Sequence, residues 1–175
     1  ELKTLDVIAA HTAYNMKDEV IDAIVEAVRG GTGFVNRCGL GLVSPGYNQS
    51  LKELLGLENP GYEWHGFTSA LCPVVNEHEI LGLIAPGNMF PIQTADGYNG
   101  IVEGTPLLGA PEGFDVSFSP LYVRELRSGR VVNIQWHSDP ETTLIYTFEE
   151  FLVRCINWAA KKPVGAKWTA SSDAP

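Results

Sequence analysis

Between Leu5 and Leu42 the chain reads strand, amphipathic helix, strand and glycine-flanked bend, and that order leaves few folds open. Leu5 to Ala10 (LDVIAA) is a short apolar run of strand type, bounded by the polar pair His11-Thr12. Within Lys17 to Arg29, the residues Val20, Ile21, Ile24, Val25 and Val28 recur at helical spacing and form one stripe. Asp18, Glu19, Asp22 and Glu26 take the opposite face, and acids near the start of a helix suit its dipole. Asn15 is placed to cap this helix, and Gly30-Gly31 to end it, because glycine takes the left-handed conformation without a Cβ penalty. Gly33, Phe34 and Val35 then open a buried strand. A helical crossover of this length predicts that the two strands lie parallel, with the helix on one face.

The second strand runs into Asn36, Arg37 and Cys38, followed by Gly39 and Gly41. A nucleophile elbow needs a strand end, a reactive side chain at a sharp bend, and small neighbours. An ordinary strand-to-loop junction holding a small buried thiol reads the same way, since free cysteine is among the most buried residue types.

Hydrophobic residues make up 45% and charged residues 19% of 175 positions, which describes one globular domain with a substantial core. Twelve basic residues stand against 21 acidic ones, for a net charge of −9, which disfavours nucleic acid and anionic membranes as partners. A small-molecule ligand fits better. The three cysteines (Cys38, Cys72 and Cys155) are too few and too widely spaced for a disulfide framework or a zinc site. No apolar run reaches membrane-spanning length, and no basic-then-apolar leader opens the chain, so a cytoplasmic location is expected.

Further along, Ser50 to Leu55 predicts a short helix closed by Gly56. Residues 58 to 78 read as irregular; they include Trp64-His65, an aromatic pair able to stack on a sugar or to plug the core. His78, between Glu77 and Glu79, reads as solvated surface. Glu79 to Ala85 predicts a strand, and Asn88 to Gly113, rich in Gly and Pro, a long surface excursion. Leu121 to Leu126 and Arg130 to Trp136 predict a hairpin around Arg127-Ser128-Gly129, with Arg124, Arg127 and Arg130 as a solvated tip. Its second arm alternates Val132, Ile134 and Trp136 with Val131, Asn133 and Gln135. Thr147 and Glu150 form a capping box opening a helix to about Ala160, with Phe148, Phe151, Leu152, Cys155, Ile156 and Ala159 as its stripe. The tail after Pro163 reads as peripheral.

In this order of motifs the chain resembles the ThuA-like (trehalose-utilisation) family of the class I glutamine amidotransferase-like superfamily. KDEVIDAIVEAVRGGTGFV is similar to the family's helix and central strand, and LKELLGL to the short helix after the elbow. NGIVEGTP is similar to the HPI-type stretch, SGRVVNIQWHSD to the late strand and histidine, and FLVRCINWAA to the final helix. The likeness covers about residues 5 to 162. It implies a flavodoxin-like three-layer α/β sandwich with a mostly parallel sheet spanning 1–162, and a tail over 163–175. A β-α unit usually precedes the strand at Leu5, so the resemblance also implies a missing N-terminal segment, or a homo-oligomer that completes the sheet.

Amidotransferases of the superfamily use an elbow cysteine and a late histidine followed, two residues on, by a carboxylate. The resemblance therefore assigns catalytic roles to Cys38, His137 and Asp139, with Asp139 where glutamate is usual and Arg37 where the elbow's leading residue stands. It implies a ligand pocket involving His11, Asn36, Arg37 and Gly39, and a small, carbohydrate-related ligand. Family members carry histidines where this chain has Cys38 and Asn99-Gly100, and an acidic pair that is absent from FDVSFSPLY at 114 to 122. No metal and no cofactor are therefore expected. A non-catalytic interaction domain and a Cys-dependent amidase or glutaminase are the alternatives.

Overall fold

The computed structural model describes residues 1–11, 16–37, 49–58, 62–64, 69–138 and 148–165. Strand β1 (Val7–His11), helix α1 (Asp18–Arg29) and strand β2 (Gly33–Arg37) form the parallel β-α-β unit that the sequence predicts. Helix α2 (Gln49–Leu55) follows, then β3 (Tyr62–Trp64), β4 (Ser69–Pro73), β5 (Met89–Tyr98) and the two-residue β6 (Thr105–Pro106). The hairpin is β7 (Leu121–Leu126) with β8 (Gly129–Ile134); β9 (Trp136–Ser138) and helix α3 (Phe148–Ala159) complete the order. The main sheet has the order β1-β2-β8-β7-β6, with β1, β2 and β8 parallel and the hairpin antiparallel. A second sheet runs β3-β5-β4, with β9 added alongside β5.

Both faces of the main sheet are covered, which explains why β2 is buried at successive positions rather than alternate ones. On one face, Phe34 and Val131 pack against Ile21, Ile24 and Val28 of α1 and Leu51, Leu54 and Leu55 of α2. On the other, Val35, Val132 and Ile134 meet Phe151, Cys155 and Ala159 of α3, together with Phe90, Ile92 and Trp136. This is a three-layer α/β arrangement of the flavodoxin-like kind. Gly31 has φ +117, the left-handed backbone predicted at the end of α1. Gly33 admits no side chain, because a Cβ there would sit 2.3 Å from the Ala159 carbonyl oxygen.

Several expectations are corrected. Residues 79–83 form turns, not a strand. Leu81 N–H donates to His78 O, Gly82 N–H to Glu79 O and Ile84 N–H to Leu81 O, so the chain coils tightly and buries Ile80, Leu81 and Ile84 together. The Gly/Pro-rich stretch from Asn88 is no surface excursion, because β5 runs through it with Phe90, Ile92, Ala95 and Tyr98 buried. Pro91 lies within β5, paired with Leu71 of β4. Residues 62–64 and 69–73, read as irregular, are strands paired to β5. Arg124 is not a solvated tip: it is 7% exposed and donates to the Glu53 carbonyl and, at 2.6 Å, to the Glu103 carboxylate. On α3, Leu152 is half-buried while Trp158 is buried beside Phe151, Cys155 and Ala159. Lys17, not Asn15, stands at the N-cap of α1, and Val164, read as part of a peripheral tail after Pro163, is buried in the core. Asn15, Thr147 and residues 166–175 lie outside the described residues.

His78 is likewise not solvated surface. It is half-buried, with its ring edge-on to Trp158 at 5.1 Å, and its Nδ1 accepts the Ile80 N–H at 3.2 Å. Burial lowers its pKa below the ordinary 6.5; Glu79 opposes the shift, and Arg130, stacked over Trp158 at 4.8 Å, adds to it. The folded state thus binds the proton less readily than the unfolded chain. His78 contributes stability that is complete above about pH 6.5 and is lost as pH falls from there through the lowered value. Urea melts at pH 8 and pH 5.5 are expected to show an acid loss that is smaller in His78→Gln. An identical pH dependence in both proteins would contradict this.

Candidate functional site

The parallel strands β1, β2 and β8 end in register: His11 pairs with Arg37, and Arg37 with Ile134. In open α/β sheets, the carboxyl ends of parallel strands are where ligands bind. One residue earlier, Ala10, Asn36 and Asn133 lie abreast, and Tyr122 of β7 follows Asn133. Asn36 Nδ2 donates to Asn133 Oδ1 at 2.5 Å, and the Tyr122 hydroxyl donates to the Leu55 carbonyl at 3.0 Å. A polar row thus crosses three strands beneath α2. Burial pushes the Tyr122 phenol well above its ordinary range, so it stays protonated and remains a donor. Asn36 Oδ1 is buried without a hydrogen-bond partner.

The chain then changes sheet. After Ile134 it leaves the main sheet, and β9 pairs with β5 through Ala95↔Trp136 and Gln93↔Ser138. His137 therefore occupies the middle of β9. Gln135 makes the crossover: its N–H donates to Pro120 O at 2.7 Å, and its carbonyl accepts the Asp96 N–H at 3.2 Å. Its side-chain Oε1 accepts the Tyr98 N–H at 2.6 Å, while Nε2 donates to Tyr98 O at 3.0 Å and to Ser119 O at 2.8 Å. Gly97 makes room, since a Cβ there would sit 2.0 Å from Gln135 Oε1.

Of the residues predicted from the sequence, His11 ends β1 and is exposed, Arg37 ends β2 and is half-buried, and Asn36 is 3% exposed. Asn36 is tied to Asn133 through its amide nitrogen. Cys38, Gly39 and Asp139 lie outside the described residues, as does His65. Sequence reasoning missed Asn133, Tyr122, Arg124 and Gln135. The alternation of Val132, Ile134 and Trp136 with Val131, Asn133 and Gln135 gave no sign that the polar residues are buried, and both faces of β8 are covered.

The other two thiols are fully buried, and burial pushes Cys72 up to about 12 and Cys155 higher. A cavity of about 390 Å³ beside α2 is lined by Lys52, Glu53, Glu58 and Glu103 among others, and one of about 380 Å³ beside β6 includes Val75, Ser117 and Phe118. Neither contains His11, Asn36 or Arg37. Among the described residues, no three His, Cys, Asp or Glu side chains come together to hold a metal ion, and no helix is long and apolar enough to cross a membrane.

No protein-family model matches the sequence, and no curated protein matches it. Solved structures do share its fold. The cytoplasmic protein STM3548 from Salmonella typhimurium superposes with a TM-score of 0.58 at 14% identity, covering 91% of this chain and 71% of that one. Gan42B, a GH42 β-galactosidase from G. stearothermophilus, gives 0.56 at 15% identity over 78% of this chain. The β-galactosidase from Bacillus circulans sp. alkalophilus gives 0.58 at 15% identity over 90% of this chain. This chain spans 19% of Gan42B and 23% of the Bacillus enzyme. At these identities the likeness shows the fold: a mostly parallel α/β sheet that recurs both in smaller proteins and inside large glycosidases.

Proposed function

We propose that this chain is a ThuA-like, amidotransferase-like domain that binds or acts on a small, carbohydrate-related ligand at the carboxyl edge of β1, β2 and β8. One observation carries the reading: the shared register of His11, Arg37 and Ile134. Cys38 follows Arg37 directly, and His137 and Asp139 follow Ile134 by three and five residues. The segments bearing the thiol, the imidazole and the carboxylate thus leave neighbouring parallel strands at the same level.

In this reading His137 takes the Cys38 proton and stabilises the thiolate, and Asp139 orients the imidazole. His11, Asn36, Arg37 and Gly39 border the ligand, and Asn36 also braces β2 against β8 through Asn133. On an amide substrate, the thiolate adds to the carbonyl carbon and the C–N bond breaks. The amine leaves with the proton from His137, and water then hydrolyses the thioester. The test is incubation with glutamine and a panel of p-nitrophenyl glycosides. Turnover lost in Cys38→Ser is the expected result, and saturable disaccharide binding without turnover supports the binding form of the reading.

A second reading, a non-catalytic domain of a larger protein, is favoured by the fold's occurrence as about a fifth of the length of the β-galactosidases above. The absence of both turnover and saccharide binding in the folded chain would overturn the first reading in its favour.

A further inference from the structure

We propose that the recess beside β6 is a docking site for a basic peptide segment, which seats an apolar side chain in it and places lysines or arginines around it. The recess measures about 380 Å³, at the small end of the range for ligand pockets, roughly 300–1,000 Å³. Ile101, Pro106, Leu108 and Phe118 line it together with Val75 and Val116, and no charged side chain does. Val75 is 42% exposed and Val116 95% exposed, so apolar surface stands open to water here. That surface continues from Val75 onto the second sheet. A Cβ at Gly109 would lie 3.0 Å from both Pro73 Cγ and Val75 Cγ1, so these two side chains converge. Pro73 pairs with Met89 and Leu71 with Pro91, and directly opposed residues share a sheet face. Leu71 is 58% exposed and Met89 42% exposed. The recess therefore opens beside an apolar track, the kind of surface that marks an interaction site.

The charge pattern selects the partner. Lys52 and Arg124 bracket residues 53–123, which hold nine acidic residues and no lysine or arginine. Elsewhere acids and bases are equal in number, so this stretch carries the whole net charge of −9. Strands β3 to β6 and every residue lining the recess belong to it. Glu77, Glu103 and Asp115 are exposed, and each is next in sequence to a lining residue: Asn76, Gly104 and Val116. Glu103 is paired with Arg124. The Ser117 hydroxyl and N–H donate to Asp115 at 2.6 and 2.7 Å and hold its carboxyl below the usual carboxylate range, so it stays charged. An uncharged centre with acids around it matches an apolar anchor flanked by cations. A second copy of this chain would instead bring two acidic surfaces together, and anions are repelled.

The test is fluorescence anisotropy of the folded chain with fluorescein-labelled heptapeptides of the form KKXXXKK, with X drawn from leucine, isoleucine, valine and phenylalanine. Matched peptides with serine at X remove the anchor, and EEXXXEE peptides reverse the charge. The expected result is saturable binding of some KKXXXKK peptides, about fivefold or more tighter than their serine and glutamate counterparts, and weaker as salt rises. Val116→Asp and Glu77→Lys, both at exposed positions, are each expected to weaken that binding about fivefold or more without lowering the thermal midpoint. Binding that is unchanged in both folded variants, that tolerates serine at X, or that is absent from all the peptides overturns the proposal. Sedimentation of the chain alone tests the other occupant: a dimer dissociated by Val116→Asp assigns the surface to a second copy and overturns the peptide. Neither His11, Asn36 nor Arg37 lines this recess, so the outcome is independent of the function proposed above.

Discussion

Trp136→Ala is expected to lower the free energy of unfolding by about 3–5 kcal/mol, the range for removing a large buried aromatic side chain. Trp136 is fully buried and stands in an aromatic cluster, its ring 6.1 Å from Phe90 and 5.8 Å from Phe151. Phe90 belongs to β5, Phe151 to α3 and Trp136 to β9, so one ring joins the second sheet to the helix that covers the main sheet. Its removal leaves a cavity bordered by three elements, none of which can close it alone. Urea unfolding of the intact chain measures the loss, and Trp136→Phe is expected to recover a large part of it. A change below about 1 kcal/mol would mean that the cluster does not couple the two sheets, since surface-like sites rarely cost more. Because His137 is the next residue, the same substitution is expected to disturb the proposed site without touching it.

The sequence was most legible where one physical rule decided the outcome. The α1 stripe of Ile21, Ile24, Val25 and Val28 is buried as its spacing predicts, and Val20, at its margin, remains 44% exposed. The parallel β1-α1-β2 unit, the helix closed by Gly56, the Leu121–Ile134 hairpin and α3 follow from periodicity and turn chemistry. Reading failed where tertiary context overrode local signals. Pro91 and Gly97 argued for a loop, yet both lie in β5, where Pro91 pairs with Leu71 of β4 and Gly97 makes room for Gln135. Ile80, Leu81 and Ile84 looked like a strand because apolar runs of this length do not distinguish a strand from a coiled turn. Arg124 was read from its hairpin neighbours, whereas its guanidinium reaches back to the C-terminal end of α2. For the site, the sequence supplied the residue types and their order. The register of His11, Arg37 and Ile134 and the crossover at Gln135 required long-range pairing that no local pattern encodes.

The most direct test of the central claim is the pH dependence of iodoacetamide labelling at each of the three thiols under native conditions, followed by mass spectrometry. The logic rests on the thiolate being the nucleophile. Burial holds Cys72 at about 12 and pushes Cys155 higher still, so both are protonated and shielded near neutral pH. A free thiol with a pKa of about 8.5 is only a few per cent thiolate at pH 7, and an adjacent imidazolium that lowers the value to about 7 raises that fraction roughly tenfold. The account predicts that Cys38 labels at pH 7 far faster than Cys72 or Cys155, and that His137→Ala removes about tenfold of its rate while the two buried thiols stay protected. Equal, slow labelling of all three cysteines, or a fast Cys38 whose rate is the same in His137→Ala, would contradict it.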